Sequence, residues 1–169
     1  SCCRQPAKGM EVASDSPRAL HSQKLVLELL KADAPAADLK PGGNELAYWS
    51  GKLGVGTPRF AARRQPATDA SHPAMWVNLD ACIQCTRCVR ACREEQVNDV
   101  IGYAFRGAHS AIVFDLGDPM GDSSCVACGE CVQACPTGAL APAREAYLVA
   151  TDRQVASVCP YCGVGCQLT

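Results

Sequence analysis

Two runs of this chain, Cys82-Ile-Gln-Cys85-Thr-Arg-Cys88-Val-Arg-Ala-Cys92 and Cys125-Val-Ala-Cys128-Gly-Glu-Cys131-Val-Gln-Ala-Cys135, share the spacing C-x2-C-x2-C-x3-C. That spacing suits a [4Fe–4S] cube, which needs four thiolates on a tetrahedral set of irons. Cysteines at x2 spacing in a tight loop turn three sulfurs inward around one cube. The fourth lies about one helical turn beyond the third, so its sulfur faces away from that cube and reaches the other. The predicted sets are therefore Cys82, Cys85 and Cys88 with Cys135, and Cys125, Cys128 and Cys131 with Cys92. A single run also fits zinc. Two interlocked runs of four, the second followed by Pro136, point to a pair of clusters.

Composition agrees. Of 13 cysteines in 169 residues, all but Cys2 and Cys3 fall into three dense groups, and aromatic residues make up only 5%. A chain so poor in large apolar side chains gains stability from metals, because ligation free energy becomes folding free energy. A disulfide scaffold is the rival reading of so many cysteines. The odd count and the x2 spacings weigh against it. The formal net charge of −1 gives no global pull toward nucleic acid or membrane surfaces. The basic run Arg59-Phe-Ala-Ala-Arg63-Arg64 reads as a solvated loop. No stretch approaches the roughly 20 apolar residues of a membrane helix. Thiol-rich metal loops without an export signal predict a cytoplasmic protein.

Outward from the two runs, the pattern divides the chain into four parts. Residues 1–34 carry a possible short strand at 9–12 and a helix opened by Ser16 as N-cap and Pro17 at its first position. Leu20, Leu27 and Leu30 give that helix an apolar face, and Pro35 stops it. Residues 35–74 are a Gly- and Pro-punctuated connector without cysteine that wraps over neighbouring surface, with a short helix over 45–53. Residues 75–145 hold a strand over 75–79, the first loop, a helix over 87–97, strands over 100–105 and 111–116 joined at Gly107-Ala108-His109, the second loop and a helix over 129–134. The halves form an internal repeat, offset by 43 residues from Cys82 to Cys125. The central hairpin is an insertion in it. Residues 146–169 begin with two strands around Thr151-Asp152-Arg153 and end in a third metal loop, Cys159-Pro-Tyr-Cys162-Gly-Val-Gly-Cys166, which lacks a fourth thiolate. His21, His72 and His109 read as structural or solvent-exposed.

These residues resemble the N-terminal iron–sulfur region of the large (alpha) subunit of bacterial NAD-dependent molybdenum- or tungsten-containing formate dehydrogenases. The resemblance rests on Val77-Asn-Leu-Asp-Ala-Cys82-Ile-Gln-Cys85, Cys92-Arg-Glu-Glu-Gln-Val-Asn-Asp-Val100-Ile-Gly, Cys125-Val-Ala-Cys128-Gly-Glu-Cys131 and the closing Cys159 to Cys166 loop. It implies an α+β fold: a two-cluster (2×[4Fe–4S]) bacterial ferredoxin-like domain with an inserted β-hairpin. That domain would be flanked by the end of a [2Fe–2S] domain and the start of a molybdopterin oxidoreductase domain. Cys159, Cys162 and Cys166 would hold a third [4Fe–4S] cluster with a ligand beyond Thr169. Cys2 would be the last ligand of a [2Fe–2S] cluster, and Cys3 a small apolar filler. The resemblance also implies a bis-pterin molybdenum or tungsten cofactor in the parent protein and a flavin- and NAD-binding iron–sulfur subunit as partner.

Relatives such as the large cluster-bearing subunit of respiratory complex I and the [FeFe] hydrogenases carry a cluster held by one His and three Cys after the first helix. Here Asp33-Ala34-Pro35 takes that place, and no Cys or His occurs from Ala34 to Ser71. The departure favours a subset of formate dehydrogenases. The function expected is electron relay within an oxidoreductase, with no catalytic residue in the segment. The alternatives are a free-standing ferredoxin-like carrier, the relay of another pterin enzyme, and a zinc-binding interaction module. Absorption separates the last from the rest. Protein isolated without oxygen is predicted to be brown, with broad charge-transfer bands; a colourless protein with stoichiometric zinc would refute the cluster reading.

Overall fold

The computed structural model describes residues 5–40, 43–143, 155–159 and 163–168. Helix α1 (Pro17–Asp33) starts as its sequence requires. The Ser16 hydroxyl accepts the Ala19 N–H at 3.3 Å, and Pro17 fills a position whose N–H has no helical partner. It ends at Ala34, which turns extended because a residue before proline avoids helical geometry. No residue of α1 is buried. Helix α2 (Glu45–Lys52) is capped by Asn44, whose Oδ1 accepts from Ala47 N–H at 3.2 Å. The expected strand at 9–12 does not form. Those residues follow a turn in which the Met10 N–H donates to the Ala7 carbonyl at 3.0 Å, and among the described residues no strand pairs with them.

The central unit follows. Strand β1 (Met75–Val77) is shorter than expected, because Asn78 Oδ1 accepts the Asp80 N–H and bends the chain into a 3-10 turn over Leu79–Ala81. Helix α3 (Arg87–Arg90) runs not into further α-helix but into a wide π turn over Ala91–Glu95. Strands β2 (Ile101–Ala104) and β3 (Ala111–Phe114) pair antiparallel from Ile101↔Phe114 to Ala104↔Ala111. Helix α4 (Glu130–Ala134) leads to β4 (Leu140–Pro142), which closes the unit by pairing antiparallel with β1, Val77 opposite Leu140. Helices α3 and α4 pack on each other, α3 against β2 and α4 against β4. A separate two-stranded ribbon, β5 (Ser157–Val158) with β6 (Gln167–Leu168), frames the last loop. The strands expected around Thr151 lie outside the described residues.

One continuous core fills the central unit, and it is built partly of sulfur. Met75, Val77, Val100, Ile101, Ile112, Phe114, Met120 and Leu140 pack with Cys88, Cys92, Cys131 and Cys135. Residues of the 35–74 segment contact this unit and α1. Arg59 pairs with Glu28 at 2.7 Å and Arg63 pairs with Asp33. Two arginines of the basic run are therefore consumed in fastening the connector to α1. The Arg59 guanidinium, hydrogen-bonded to Glu28, holds that carboxyl down at about 2.

Asp69 joins three segments. Its backbone exchanges two hydrogen bonds with Val77, both 2.9 Å. Its side chain accepts the Ser71 N–H at 2.9 Å and the N–H of fully buried Met120 at 2.7 Å. Burial acts to raise the Asp69 pKa, but these bonds outweigh it and the net shift is downward. A lowered carboxyl contributes stability that is present above its ordinary pKa of about 3.9 and lost as pH falls through the folded value. Asp69→Ala is expected to cost about 2–3 kcal/mol. The deficit in thermal stability should be full above about pH 4 and shrink as pH falls below it; a deficit unchanged at low pH would mean that the Asp69 carboxylate is not the group that matters.

Candidate metal centres

The two cysteine loops have the same backbone. In the first, Gln84 and Thr86 are left-handed, with φ of 58° and 59°; in the second, Ala127 and Gly129 are, with φ of 56° and 77°. These positions match under the same 43-residue offset as the cysteines. Left-handed residues on both sides of the middle cysteine curl each loop, which is how three sulfurs come to face inward. Three of the four residues are not glycine, so the conformation costs energy that a bound group can offset.

Burial follows the repeat as well. Cys82 and Cys125 are half-buried, Cys85 and Cys128 exposed, Cys88 and Cys131 buried, and Cys92 and Cys135 buried. A small void lies among Cys82, Cys85, Cys88 and Cys135, lined also by Ile112, Pro136 and Leu140. A second lies among Cys92, Cys125, Cys128 and Cys131, lined also by Met75, Val100 and Ile101. Each void thus gathers three thiols from one run and the fourth from the other. Among the described residues, no three His, Cys, Asp or Glu side chains converge as one metal ion requires. Four thiols line each space, and four thiolates are the ligand set of a [4Fe–4S] group.

Left to themselves, the Cys82, Cys88 and Cys131 thiols would stay protonated. Burial first, and the neighbouring thiolates second, push Cys88 and Cys131 up to about 12. Burial raises Cys82 too, despite a hydrogen bond from the Gln84 backbone and the field of Arg63. A positively charged metal core removes this penalty, because a coordinated thiol is deprotonated outright. The residues present therefore fit an iron–sulfur group. They would hold it by four thiolates per site, with the Ala127 N–H, 3.4 Å from Cys125 Sγ, among the first donors to sulfur.

Several supporting residues carry no signal in the sequence. Thr137 is buried and donates its hydroxyl to the Ala81 carbonyl at 2.6 Å, tying the strand after α4 to the entrance of the first loop. Lys40 reaches from the connector to the Cys135 carbonyl at 2.5 Å, and the Glu45 N–H donates to the Pro136 carbonyl at 2.9 Å. Arg87 pairs in bidentate fashion with Glu45 at 2.5 and 2.9 Å and so binds α2 to α3. Arg90 pairs with Glu94 along the helix. His72 is buried, its Nδ1 accepting the Ala74 N–H at 3.1 Å, and His109 is exposed. At the last loop, the Cys159 N–H donates to the Cys166 carbonyl at 2.8 Å, which brings the two ends of the loop together. Cys162 and Cys2, with Cys3, lie outside the described residues.

Residues 73–141 match the ferredoxin-like domain of NADH-quinone oxidoreductase subunit 3. Over these residues the chain is similar to a ferredoxin-like domain of that type. The whole chain is 34% identical to an NADH-quinone oxidoreductase subunit of Rhizobium meliloti, covering 20% of that protein. Over 83% of the chain it is 31% identical to NADP-reducing hydrogenase subunit HndD of Solidesulfovibrio fructosivorans, covering 25% of that protein. Over 83% it is also 28% identical to a Staphylococcus haemolyticus protein named "Putative formate dehydrogenase SH0748", covering 18% of it. Among solved structures, a chain of NAD+-reducing [NiFe]-hydrogenase in the H2-reduced state superposes with a TM-score of 0.75 and 27% identity, over 83% of this chain and 62% of that one. The chain spans a quarter or less of the length of these curated relatives. No described helix is long and apolar enough to cross a membrane.

Gly138 shows how closely the connector is pressed on the first centre. Its φ is +80°, and an added Cβ would lie 2.7 Å from the Leu39 carbonyl oxygen. Gly138→Ala is expected to lose about 2 kcal/mol or more, from left-handed strain and overlap together. Gly51→Ala, in α2 with open space at its Cβ, is expected to gain up to about 1 kcal/mol. Thermal unfolding of the two variants tests the pair; a tolerated Gly138→Ala would mean that the connector is free to move off the site.

Proposed function

We propose that this chain is the electron-relay segment of a formate dehydrogenase large subunit. Cys82, Cys85, Cys88 and Cys135 hold one [4Fe–4S] cluster, and Cys92, Cys125, Cys128 and Cys131 hold another. The observation that carries the relay is the pair of voids, each lined by three cysteines of one run and the fourth of the other. A [4Fe–4S] group bound there takes up and gives back one electron at a time, without changing its ligands. The chain's own part is to fix the sites rigidly, through a shared core, and to bury all but one edge of each. Cys85 and Cys128 are those edges.

The wider reading assigns residues 1–34 to the end of a [2Fe–2S] domain and its helix, with Cys2 as a ligand. Residues 35–74 are the connector and 75–145 the two-cluster domain. Residues 146–169 open a pterin-bearing domain whose Cys159, Cys162 and Cys166 bind a third cluster. In the cytoplasm, the clusters would link a molybdenum or tungsten bis-pterin site to a flavin- and NAD-binding subunit. Support comes from the formate dehydrogenase-like relatives and from the lack of Cys and His between Ala34 and Ser71. The quinone oxidoreductase and hydrogenase relatives share the same domain, so substrate is decided by metal analysis and formate-dependent NAD+ reduction in the parent protein.

The ligand sets are tested in the chain prepared without oxygen. The two complete sites should carry about eight irons between them. Cys92→Ser is expected to disturb the EPR signal of the cluster held by Cys125, Cys128 and Cys131, far along the sequence, and to spare the one beside it. Loss of the cluster on the Cys82 loop instead would overturn the crossed assignment.

A further inference from the structure

Asn98 is held against the second void by a strained piece of backbone. Val97 and Asp99 on either side of it are left-handed, with φ of 56° and 53°. For β-branched Val97 this conformation is rare, and such outliers gather where function requires them. The loop is braced to keep it. The Gln96 N–H donates to the Ala91 carbonyl at 3.1 Å, the Asn98 N–H to the Cys92 carbonyl at 3.0 Å, and Arg93 Nε to Asp99 Oδ1 at 2.7 Å. Asn98 consequently lines the void with Cys92, Cys125, Cys128 and Cys131, and its Nδ2 stands 3.9 Å from Cys128 Sγ. A thiolate sulfur only accepts, so the amide nitrogen and not its oxygen faces it.

The other half of the repeat holds a counterpart that behaves differently. Thr137 also precedes a left-handed residue, Gly138, and then two buried apolar ones, Ala139 and Leu140; Asn98 precedes Asp99, Val100 and Ile101. Thr137 Oγ1 is likewise 3.9 Å from a cluster-site sulfur, that of Cys135. Its single proton is already given to the Ala81 carbonyl at 2.6 Å, so the sulfur meets a lone pair. The two centres, alike in loop geometry and burial, differ at this position.

We propose that Asn98 is a positioning residue that donates an N–H···S hydrogen bond to Cys128 and raises the reduction potential of that cluster alone. This rests on reading Cys92, Cys125, Cys128 and Cys131 as ligands. Reduction adds one electron to the cluster with no bond to protein broken and no proton moved. An N–H dipole aimed at sulfur stabilises the added negative charge.

The test is a dithionite titration followed by EPR on the cluster-loaded chain, for wild type, Asn98→Leu and Asn98→Asp. Leucine removes the donor, and aspartate replaces it with a negative charge at the same size. Asn98→Leu should make reduction of one cluster about tenfold less favourable, or 59 mV lower. Asn98→Asp should lower it further, and the other midpoint should stay. The cluster that shifts must be the one whose signal Cys131→Ser alters. Unchanged midpoints with both clusters present overturn the role of Asn98 and leave the relay standing, as does a shift of the cluster altered by Cys82→Ser. If the leucine variant loses its cluster, the aspartate variant decides by the same criterion. A wild-type chain that binds no clusters sinks the relay reading and this inference together.

Discussion

The structure depends on the exchange of fourth thiols between the two cysteine runs. Cys92 belongs in sequence to the first loop and Cys135 to the second, yet each lines the void of the other. The exchange turns two loops, neither with a core of its own, into one unit that neither half completes alone. It also places four of the eight cysteines inside the apolar core, with Met75, Ile112, Phe114 and Leu140. The Cys88 and Cys131 thiols are driven away from ionisation by burial and by neighbouring thiolates. A metal core resolves both conflicts at once, which couples cluster binding to folding.

Around this centre the connector acts as a clamp. Asp33, Glu45 and Asp99 each take one arginine that lies in the field of the cysteines, namely Arg63, Arg87 and Arg93. Two of these pairs tie the connector and α1 to each other or to α3, and the third braces the loop bearing Asn98. Exposed ion pairs contribute little to stability one at a time. Here their effect is to remove unpaired positive charge from beside the cluster sites, so that short-range dipoles have more weight in setting potentials.

The sequence announced the site better than its supports. The spacing groups the cysteines of the two runs, and each void is lined by three of one run and the fourth of the other, an arrangement that follows from the reach of a loop and one helical turn. Strand β4 was not legible: its three residues Leu140-Ala-Pro142 show no alternation, and it forms only because β1 lies opposite. The helix after the first loop was read too long, since nothing in its residue pattern reports the switch to a π turn at Ala91. Thr137 and Lys40 were missed for a different reason. Each acts on a backbone carbonyl far along the chain, Ala81 and Cys135, and backbone partners leave no mark in sequence.

The π turn also bears on how the two halves came to differ. After Cys135, Pro136 ends the helix at once and Thr137 follows directly. After Cys92, the wide turn carries the chain through five residues, 93–97, before Asn98 takes the corresponding place. Such single-turn π segments recur at functional sites, because they shift side chains without dismantling the helix that precedes them. In this chain the shift replaces a hydroxyl bound to a carbonyl with an amide facing a sulfur. A repeat that keeps its loops, its burial pattern and its crossed ligands while changing that one contact has the geometry of two equal sites with unequal surroundings, and unequal potentials are what give a relay its direction.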